Sequence, residues 1–143
     1  MIVIDASIAI KWIKEEEEDR ELALTLYTDH TSEKETILVP PLFFIEVANS
    51  LVTKSSIKVS TIKKDLEFLY NIHLGLFEPD KDILVKTSLM AKEFRTTVYD
   101  MLYAIIAQER KTVLVTADRK FKEKTEFSFV KLLDEYVKIG DTN

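Results

Sequence analysis

The chain has 143 residues, no cysteine, two glycines, three prolines and a formal net charge of −5. This length suits one domain, residues 1–143, in which residues 136–143 are expected to form a disordered tail. The absence of cysteine excludes thiol catalysis and zinc–thiolate sites. With no apolar run of membrane-spanning length and no secretion signal, a soluble, cytoplasmic protein is expected. The acidic charge speaks weakly against general attraction to nucleic acid but allows a local basic rim.

The first predicted element is a short apolar strand, residues 2–4, that ends at Asp5. Continuous β-branched runs are typical of central strands in parallel sheets, where ligands bind at the carboxyl ends of the strands. Asp5 is therefore a candidate functional residue, although an aspartate after a strand is more often a helix cap. Ser7 is predicted to cap the helix that follows. An acidic segment, 15–19, then begins a second helix, which ends before a polar loop at 28–35.

The second predicted strand, residues 36–39, leads into an apolar helix that begins at Pro41. Glu46 is the only charged residue of this helix. Because an unpaired buried carboxylate is costly, Glu46 must reach solvent, find a partner or face a cleft that holds a cation. Asn49 lies on the same helix face and is expected to orient Glu46 or to line the same cleft. A partly exposed helix glutamate remains the alternative.

The middle of the chain is predicted to form packing elements without chemistry. Ser60 is the expected cap of an amphipathic helix at residues 61–73. A short strand at 74–77 follows. Pro79 and Asp80 then begin a helix with an apolar stripe.

The last part of the chain repeats the design of the first. A predicted helix at residues 98–107 is apolar almost all round and therefore buried, and Asp100 is its only charge. No Glu or Gln stands three residues after Asp100 to complete a capping box. This weakens the interpretation of Asp100 as a plain N-cap but does not exclude it. A strand at 112–116 ends on a threonine that is soon followed by Asp118. A final strand is expected within 127–133.

Four carboxylates thus occupy unusual positions, two after strands, one alone in an apolar helix and one opening a buried helix. Together they predict a metal site. With no cysteine and only two histidines, an all-oxygen site favours Mg²⁺ or Mn²⁺ over zinc. Such ions activate water and stabilise the oxygens of phosphoryl transfer, so hydrolysis of phosphodiesters is expected. The four residues are Asp5, Glu46, Asp100 and Asp118.

At these residues the sequence resembles the PIN-domain ribonucleases, and among them the VapC-type toxins of prokaryotic toxin–antitoxin pairs. The resemblance covers nearly the whole chain. It implies a single PIN-like domain of the α/β class, with a central, mostly parallel sheet flanked by helices. It also implies that Ser7 and Thr116 support the four carboxylates. The fragments that carry it are Ile4-Asp5-Ala6-Ser7, Glu46-Val47-Ala48-Asn49-Ser50-Leu51, Val98-Tyr99-Asp100-Met101-Leu102-Tyr103-Ala104 and Thr116-Ala117-Asp118-Arg119-Lys120-Phe121.

The expected function is therefore that of an endoribonuclease dependent on Mg²⁺ or Mn²⁺. Asp5, Asp100 and Asp118 are expected to hold the metal directly or through water. Glu46 is expected to bind the metal or to orient the attacking water. Basic residues near the motifs are candidates for holding RNA phosphates around the cleft, namely Lys11, Lys14, Arg95, Arg119 and Lys120.

The resemblance also implies a homodimer that is neutralised by a small antitoxin, whose tail would lie over the acidic cleft. The apolar helices at 42–53 and 61–73 are candidate grooves for an amphipathic helix of that partner.

Two other classes of protein fit part of the pattern. A haloacid-dehalogenase-like phosphatase also places aspartates at strand ends, but it expects a second aspartate where this chain has Ser7. A response-regulator receiver expects paired acids in an early loop and a lysine after a late strand, neither of which is found. A non-enzymatic, partner-binding module is the third reading, and the full acidic set argues against it. A metal-dependent RNA cleavage assay separates these classes.

Overall fold

The computed structural model describes residues 1–54 and 57–141. Five strands and eight helices lie within these residues and alternate along most of the chain. Their bounds, in chain order, are β1 (Ile2–Ile4), α1 (Ala6–Ile13), α2 (Arg20–Thr31), β2 (Ile37–Val39), α3 (Leu42–Thr53), α4 (Val59–Asn71), β3 (Gly75–Leu76), α5 (Lys81–Phe94), α6 (Val98–Glu109), β4 (Leu114–Thr116), α7 (Arg119–Thr125), β5 (Val130–Leu132) and α8 (Leu133–Asp141).

The five strands form one parallel sheet in the order β3-β2-β1-β4-β5. The chain extends the sheet from β1 to β3 in one direction and then returns to the other side of β1 with β4 and β5. The connections therefore diverge between β1 and β4, and such a switch point opens a crevice at the carboxyl ends of the strands. Ile4 is paired with Val115, so the next residues, Asp5 and Thr116, stand at this crevice.

The core covers both faces of the sheet. Every residue of β1, β2 and β4 is buried, and successive strand residues point to opposite faces. Helix α6 packs against β1 and β4, while α1 and α8 pack against β4. Residues 101–107 of α6 are all buried. Because a crossover helix runs antiparallel to the strands it connects, the first turn of α6, with Asp100, lies at the carboxyl end of the sheet.

The α/β class and the parallel sheet predicted from the sequence are confirmed, and the differences lie at element ends. Asp5, not Ser7, caps α1, since its Oδ1 accepts a hydrogen bond from the Ser7 backbone N–H at 3.1 Å. Helix α2 extends into the loop predicted at 28–35. Helix α4 begins at Val59 without a side-chain cap, so Ser60 lies inside its first turn.

The C-terminal part is more helical than the sequence predicts. Helix α7 was not expected, because Phe121 is its only large apolar residue and gives no periodic signal; Asp118 caps it. Helix α8 contains residues 136–141 of the predicted tail, and its Leu133 and Val137 are buried. The last two residues lie outside the described part of the chain. Among residues 1–54 and 57–141, none of the helices has the length and apolar content needed to cross a membrane.

Candidate functional site

Asp5 is the most constrained carboxylate at the carboxyl end of the sheet. It accepts hydrogen bonds from the backbone N–H and the hydroxyl of Ser7 and from the hydroxyl of Thr116. Burial raises the pKa of Asp5 to about 6, although both hydroxyls lower it, and the negative charges of Asp100 and Asp118 raise it further. Asp5 is therefore the helix cap that the simpler interpretation predicts. It also belongs to a group of acidic side chains that raise its pKa.

The two hydroxyls connect the ends of β1 and β4. Ser7 Oγ accepts from the Ala117 backbone N–H at 3.1 Å and donates to Asp5 Oδ1. Thr116 Oγ1 accepts from the Asp118 backbone N–H at 3.0 Å and donates to Asp5 Oδ2. Because a hydroxyl has a single proton, each backbone donor directs that proton towards Asp5. Ser7 and Thr116 thus make the contacts that a supporting role requires.

Asp118 and Asp100 approach Asp5 from separate elements. Asp118 Oδ1 accepts from the Phe121 backbone N–H at 3.0 Å. Thr97, not Asp100, caps α6, since the Asp100 backbone N–H donates to Thr97 Oγ1 at 3.1 Å. Although solvent reaches Asp100, the surrounding protein raises the pKa of its carboxyl group, and the charge of Asp118 raises it further. Asp100 is therefore not the N-cap of α6, although its carboxylate lies in the first turn, where the Thr97 side chain lowers its pKa.

Glu46 has a partner that the sequence analysis did not single out. The hydroxyl of Tyr103, a side chain only 1% exposed, donates to Glu46 Oε1 at 2.5 Å. Burial raises the pKa of Glu46, the Tyr103 hydrogen bond lowers it, and the charge of Asp100 raises it. Tyr103 follows Asp100 by three residues and so shares its helix face, which is the signal that identifies it. Asn49 is exposed, and its side chain makes no hydrogen bond within the described residues.

The charges of the four carboxylates act on one another. Asp100 raises the pKa of both Asp5 and Glu46, and Asp118 raises that of Asp5 and Asp100. None of the four forms an ion pair within the described residues. In the same part of the chain, no three Asp, Glu, His or Cys side chains are grouped closely enough to hold an ion by themselves. The donor set fits Mg²⁺ or Mn²⁺, because Mg²⁺ retains several waters and is held by one or two carboxylates.

Two of the predicted basic residues lie beside this acidic group. Arg95 and Lys120 line a cavity of about 290 Å³ together with Asp100 and Asp118. Lys124, which was not predicted, lines the same cavity. The cavity thus joins the acids to a set of exposed cations.

The other three predicted cations do not line that cavity. Lys11 is buried, and its Nζ donates to the Glu18 backbone carbonyl at 2.5 Å. Lys14 is also buried, and burial lowers the pKa of its ammonium group. Arg119 pairs with Asp134 at 3.0 Å. The contacts of Lys11 and Arg119 give these two residues structural roles, and burial keeps Lys14 away from solvent.

The sequence matches the family model of the PIN domain over residues 2–126. The chain belongs to the PIN domain family. PIN domains are typically nucleases and are generally metal-dependent. This membership sets aside the phosphatase and receiver alternatives. The sequence has no match among curated proteins.

Solved structures that resemble this PIN domain include VapC toxins of low sequence identity. PAE2754 from Pyrobaculum aerophilum has a TM-score of 0.71 and 20% identity, covering 99% of this chain and 90% of its own. VapC20 from Mycobacterium tuberculosis, a toxin that cleaves the sarcin–ricin loop, has a TM-score of 0.70 and 9% identity, covering 92% and 98%. VapBC2 from Rickettsia felis, bound to a DNA fragment from its promoter, has a TM-score of 0.64 and 16% identity, covering 92% and 98%. At these identities the likeness shows the fold.

Proposed function

We propose that this PIN domain is an endoribonuclease that depends on Mg²⁺ or Mn²⁺. The observation that carries the proposal is the carboxylate of Asp5. It is fixed by two hydroxyls at the switch point, and its pKa is raised by burial and further by the charges of Asp100 and Asp118. Asp5, Asp100 and Asp118 would hold the ion directly or through water, and Glu46 would bind it or orient the attacking water. A bound ion would supply activation of water and stabilisation of the phosphate oxygens.

The residues around the acids keep them ionised and oriented. Ser7 and Thr116 use their protons on Asp5, which lowers its pKa against the effect of burial. Tyr103 binds Oε1 of Glu46, and within the described residues Oε2 has no hydrogen-bond donor. That oxygen is therefore available to water or to a hydrated ion. Asn49, exposed on the same helix as Glu46, keeps its predicted supporting role as part of this proposal.

We also propose that the protein is the toxin of a VapBC-type pair, acts on RNA in the cytoplasm and forms a homodimer. The structural likeness to VapC20 and VapBC2 supports this reading. The candidate partner grooves correspond to α3 and α4, which expose apolar side chains. Ile45 and Val52 of α3 are 66% and 67% exposed, and Tyr70 of α4 is 59% exposed. Exposed apolar patches of this kind are typical of protein–protein contacts.

RNA cleavage by matched aspartate variants tests the enzymatic proposal. The wild-type protein should cleave RNA with Mn²⁺ and lose this activity in EDTA. Asp5→Asn and Asp100→Asn should each lower cleavage by more than the roughly 100-fold typical of losing a group that only supports a metal ligand. Asp80→Asn is the control, because Asp80 only caps α5 through the Ile83 backbone N–H. Asp80→Asn should cleave like wild type.

Three outcomes would change this assignment. Full activity in Asp5→Asn or Asp100→Asn would remove that residue from the site. Undiminished cleavage in EDTA would contradict the proposed dependence on Mg²⁺ or Mn²⁺. Wild-type protein that binds a partner but cleaves no RNA would support the partner-binding module instead.

The toxin proposal has its own test. A short adjacent gene that encodes a DNA-binding segment and a polar tail should be present, and its product should form a complex with this protein and restore growth to cells that express it. Co-expression that gives neither a complex nor growth would count against this partner.

A further inference from the structure

The cations of α7 lie on two faces of the helix, and in the part of the chain that the structure describes only one of these faces forms ion pairs. Arg119 and Lys122 form ion pairs with carboxylates of α8, with N–O distances of 3.0 and 2.6 Å. Lys120 and Lys124, which are one helical turn apart, have no carboxylate oxygen within 4.0 Å among the described residues. One face therefore attaches α7 to α8, and the other carries two exposed lysines that form no ion pair within the described residues.

A third cation joins these two lysines from the loop before α6. Arg95 ends α5 and is exposed. Lys124 Nζ donates to the Arg95 backbone carbonyl at 2.9 Å, which ties α7 to this loop. The guanidinium of Arg95 forms no ion pair within the described residues. Three cations from two elements thus line the cavity of about 290 Å³.

This cavity borders the acidic group directly. Asp100 and Asp118 form part of its lining. The hydroxyl-bearing residues Thr96 and Thr97 line it as well. An anion in this cavity would therefore lie next to whatever the acidic group binds.

We propose that Arg95, Lys120 and Lys124 form a subsite for an RNA phosphate adjacent to the phosphate that is cleaved. The inference rests on the proposed ribonuclease function. It adds that the RNA extends from the acidic group into the cavity beside Asp100 and Asp118. Arginine and lysine bind phosphate through charge and N–H donors, and such contacts position a nucleic acid without reading its bases. The subsite therefore fixes the position of the RNA, and its contribution to binding is independent of sequence.

Lys124→Gln and Lys122→Gln make a matched pair for the test. Both lysines lie on α7, and each variant loses one positive charge. Binding of a fluorescein-labelled single-stranded RNA is measured by anisotropy at several NaCl concentrations. The Asp5→Asn protein serves as background so that the RNA stays intact. Lys124→Gln should weaken binding and reduce the slope of log affinity against log salt by about 0.7, the value for one lost phosphate contact in a single strand. Lys122→Gln should leave the slope unchanged.

Lys120→Gln separates charge from structure. Lys124 also holds the Arg95 carbonyl, whereas the Lys120 side chain makes no hydrogen bond within the described residues. Lys120→Gln should therefore reduce the salt slope without changing the melting temperature. A slope unchanged in both Lys120→Gln and Lys124→Gln, or an equal loss in Lys122→Gln, would overturn the proposal. The proposal would also be overturned if Lys120→Gln and Lys124→Gln weakened binding to polyglutamate but not to RNA. The cavity would then bind an acidic protein.

The number of phosphates in the probe sharpens the result. A dinucleotide has a single phosphate, and a trinucleotide adds an adjacent one. The gain in affinity from dinucleotide to trinucleotide should be present in the Asp5→Asn background and absent when Lys120→Gln is added. Equal gains in the two proteins would contradict the subsite. Failure of the ribonuclease proposal would appear separately, as a wild-type protein that binds these RNAs and leaves longer RNA intact with Mn²⁺.

Discussion

The two ends of the sheet handle polar groups in opposite ways. At the amino end, the Met1 ammonium, the Thr112 hydroxyl and the His30 ring all have partners within the chain. The Met1 ammonium pairs with Glu35, and the Thr112 hydroxyl donates to the Met1 carbonyl. His30 Nδ1 accepts from the Ile37 backbone N–H at 3.1 Å. These polar groups therefore need no ligand to be satisfied.

At the carboxyl end, Asp5 receives hydrogen bonds but forms no ion pair within the described residues, and cations line the cavity beside Asp100 and Asp118. Asp5 has three hydrogen-bond donors and no cation within ion-pair distance in the described residues. Asp100 and Asp118 add negative charge beside it. The same strands supply both ends, so the difference reflects which side chains follow each strand. We expect the unpaired negative charge at the carboxyl end to lower the stability of the metal-free protein. Such a cost is common at functional sites.

The largest expected effect of this difference is on stability without metal as pH rises. Asp5 has a pKa of about 6 in the folded chain and 3.8 as its ordinary value. The folded state therefore binds the proton more tightly, and the stability this gives is complete below the ordinary pKa and lost as pH rises through about 6. The loss is at most about 3 kcal/mol, because Asp5 is partly exposed. Urea unfolding in EDTA across this pH range measures it.

Asp5→Asn and Asp80→Asn show whether Asp5 is the source of the decline. The decline should shrink in Asp5→Asn and persist in Asp80→Asn, which loses a capping carboxylate elsewhere. Near pH 7, Mn²⁺ should restore stability by binding the folded state, and an equal ionic strength of NaCl should restore less. A free energy of unfolding that is flat through pH 6 would show that the acids at this end carry no unpaired charge.

Two threonines allow the two ends to be compared by the same substitution. Thr116→Val removes the hydroxyl that donates to Asp5 and accepts from the Asp118 backbone. RNA cleavage with Mn²⁺ should fall about 10- to 100-fold, the range for groups that orient metal ligands. Thr112→Val removes only the bond to the Met1 carbonyl. It should cost about 1 kcal/mol of stability and leave the cleavage rate unchanged.

Equal cleavage by Thr116→Val and wild type would reduce Thr116 to a packing residue. A parallel loss in Thr112→Val would indicate general unfolding, which circular dichroism at the assay temperature would reveal.

Much of this contrast could be predicted from the sequence, because it depends on local pattern. A buried run that stops at a carboxylate predicts both the strand and Asp5, and the same pattern recurs before Asp118. The parallel sheet then brings such residues to one edge. Helix α7 could not be predicted, since its only large apolar side chain is Phe121. Its ion pairs with α8 depend on tertiary structure that no local pattern reveals.

The contacts of polar side chains were predicted least well. Lys11 and Arg119 lie close to the motifs in sequence, but the fold turns them towards Glu18 and Asp134. Lys124 lies beyond the last motif, so closeness to the motifs does not predict it. The pairing of cations is decided between elements, and sequence distance does not report it.

Tyr103→Phe should have a smaller effect and a distinct pH signature. The Tyr103 hydroxyl lowers the pKa of Glu46 against burial, so its removal raises that pKa further. Glu46 then protonates at higher pH, and the acidic limb of the pH–rate profile should move to higher pH. At the optimum the rate should fall about tenfold, the lower end for a supporting group. Tyr136→Phe is the control, because Tyr136 lies on α8 and is not a hydrogen-bond partner of Glu46 within the described residues. An unshifted acidic limb in Tyr103→Phe would show that Glu46 does not act as an ionised group.

The smallest expected effect is on the thermal stability of Asp100→Asn without metal. Asp100 raises the pKa of Asp5 and Glu46, so neutralising it relieves repulsion near neutral pH. Thr97 caps α6, and therefore no cap is lost. The melting temperature in EDTA should rise by only about 1–2 °C, because solvent screens an exposed charge. Addition of Mn²⁺ should then raise it less than in wild type.

The sign of this small shift separates two accounts of the carboxyl end. If Asp100 were a structural cap, its replacement would lower stability by about 1 kcal/mol, and the response to Mn²⁺ would equal that of wild type. If Asp100 belongs with Asp5, the metal-free protein gains stability and the metal response weakens. Melts of both proteins in EDTA and in Mn²⁺ distinguish these outcomes, because the two accounts predict opposite signs in EDTA.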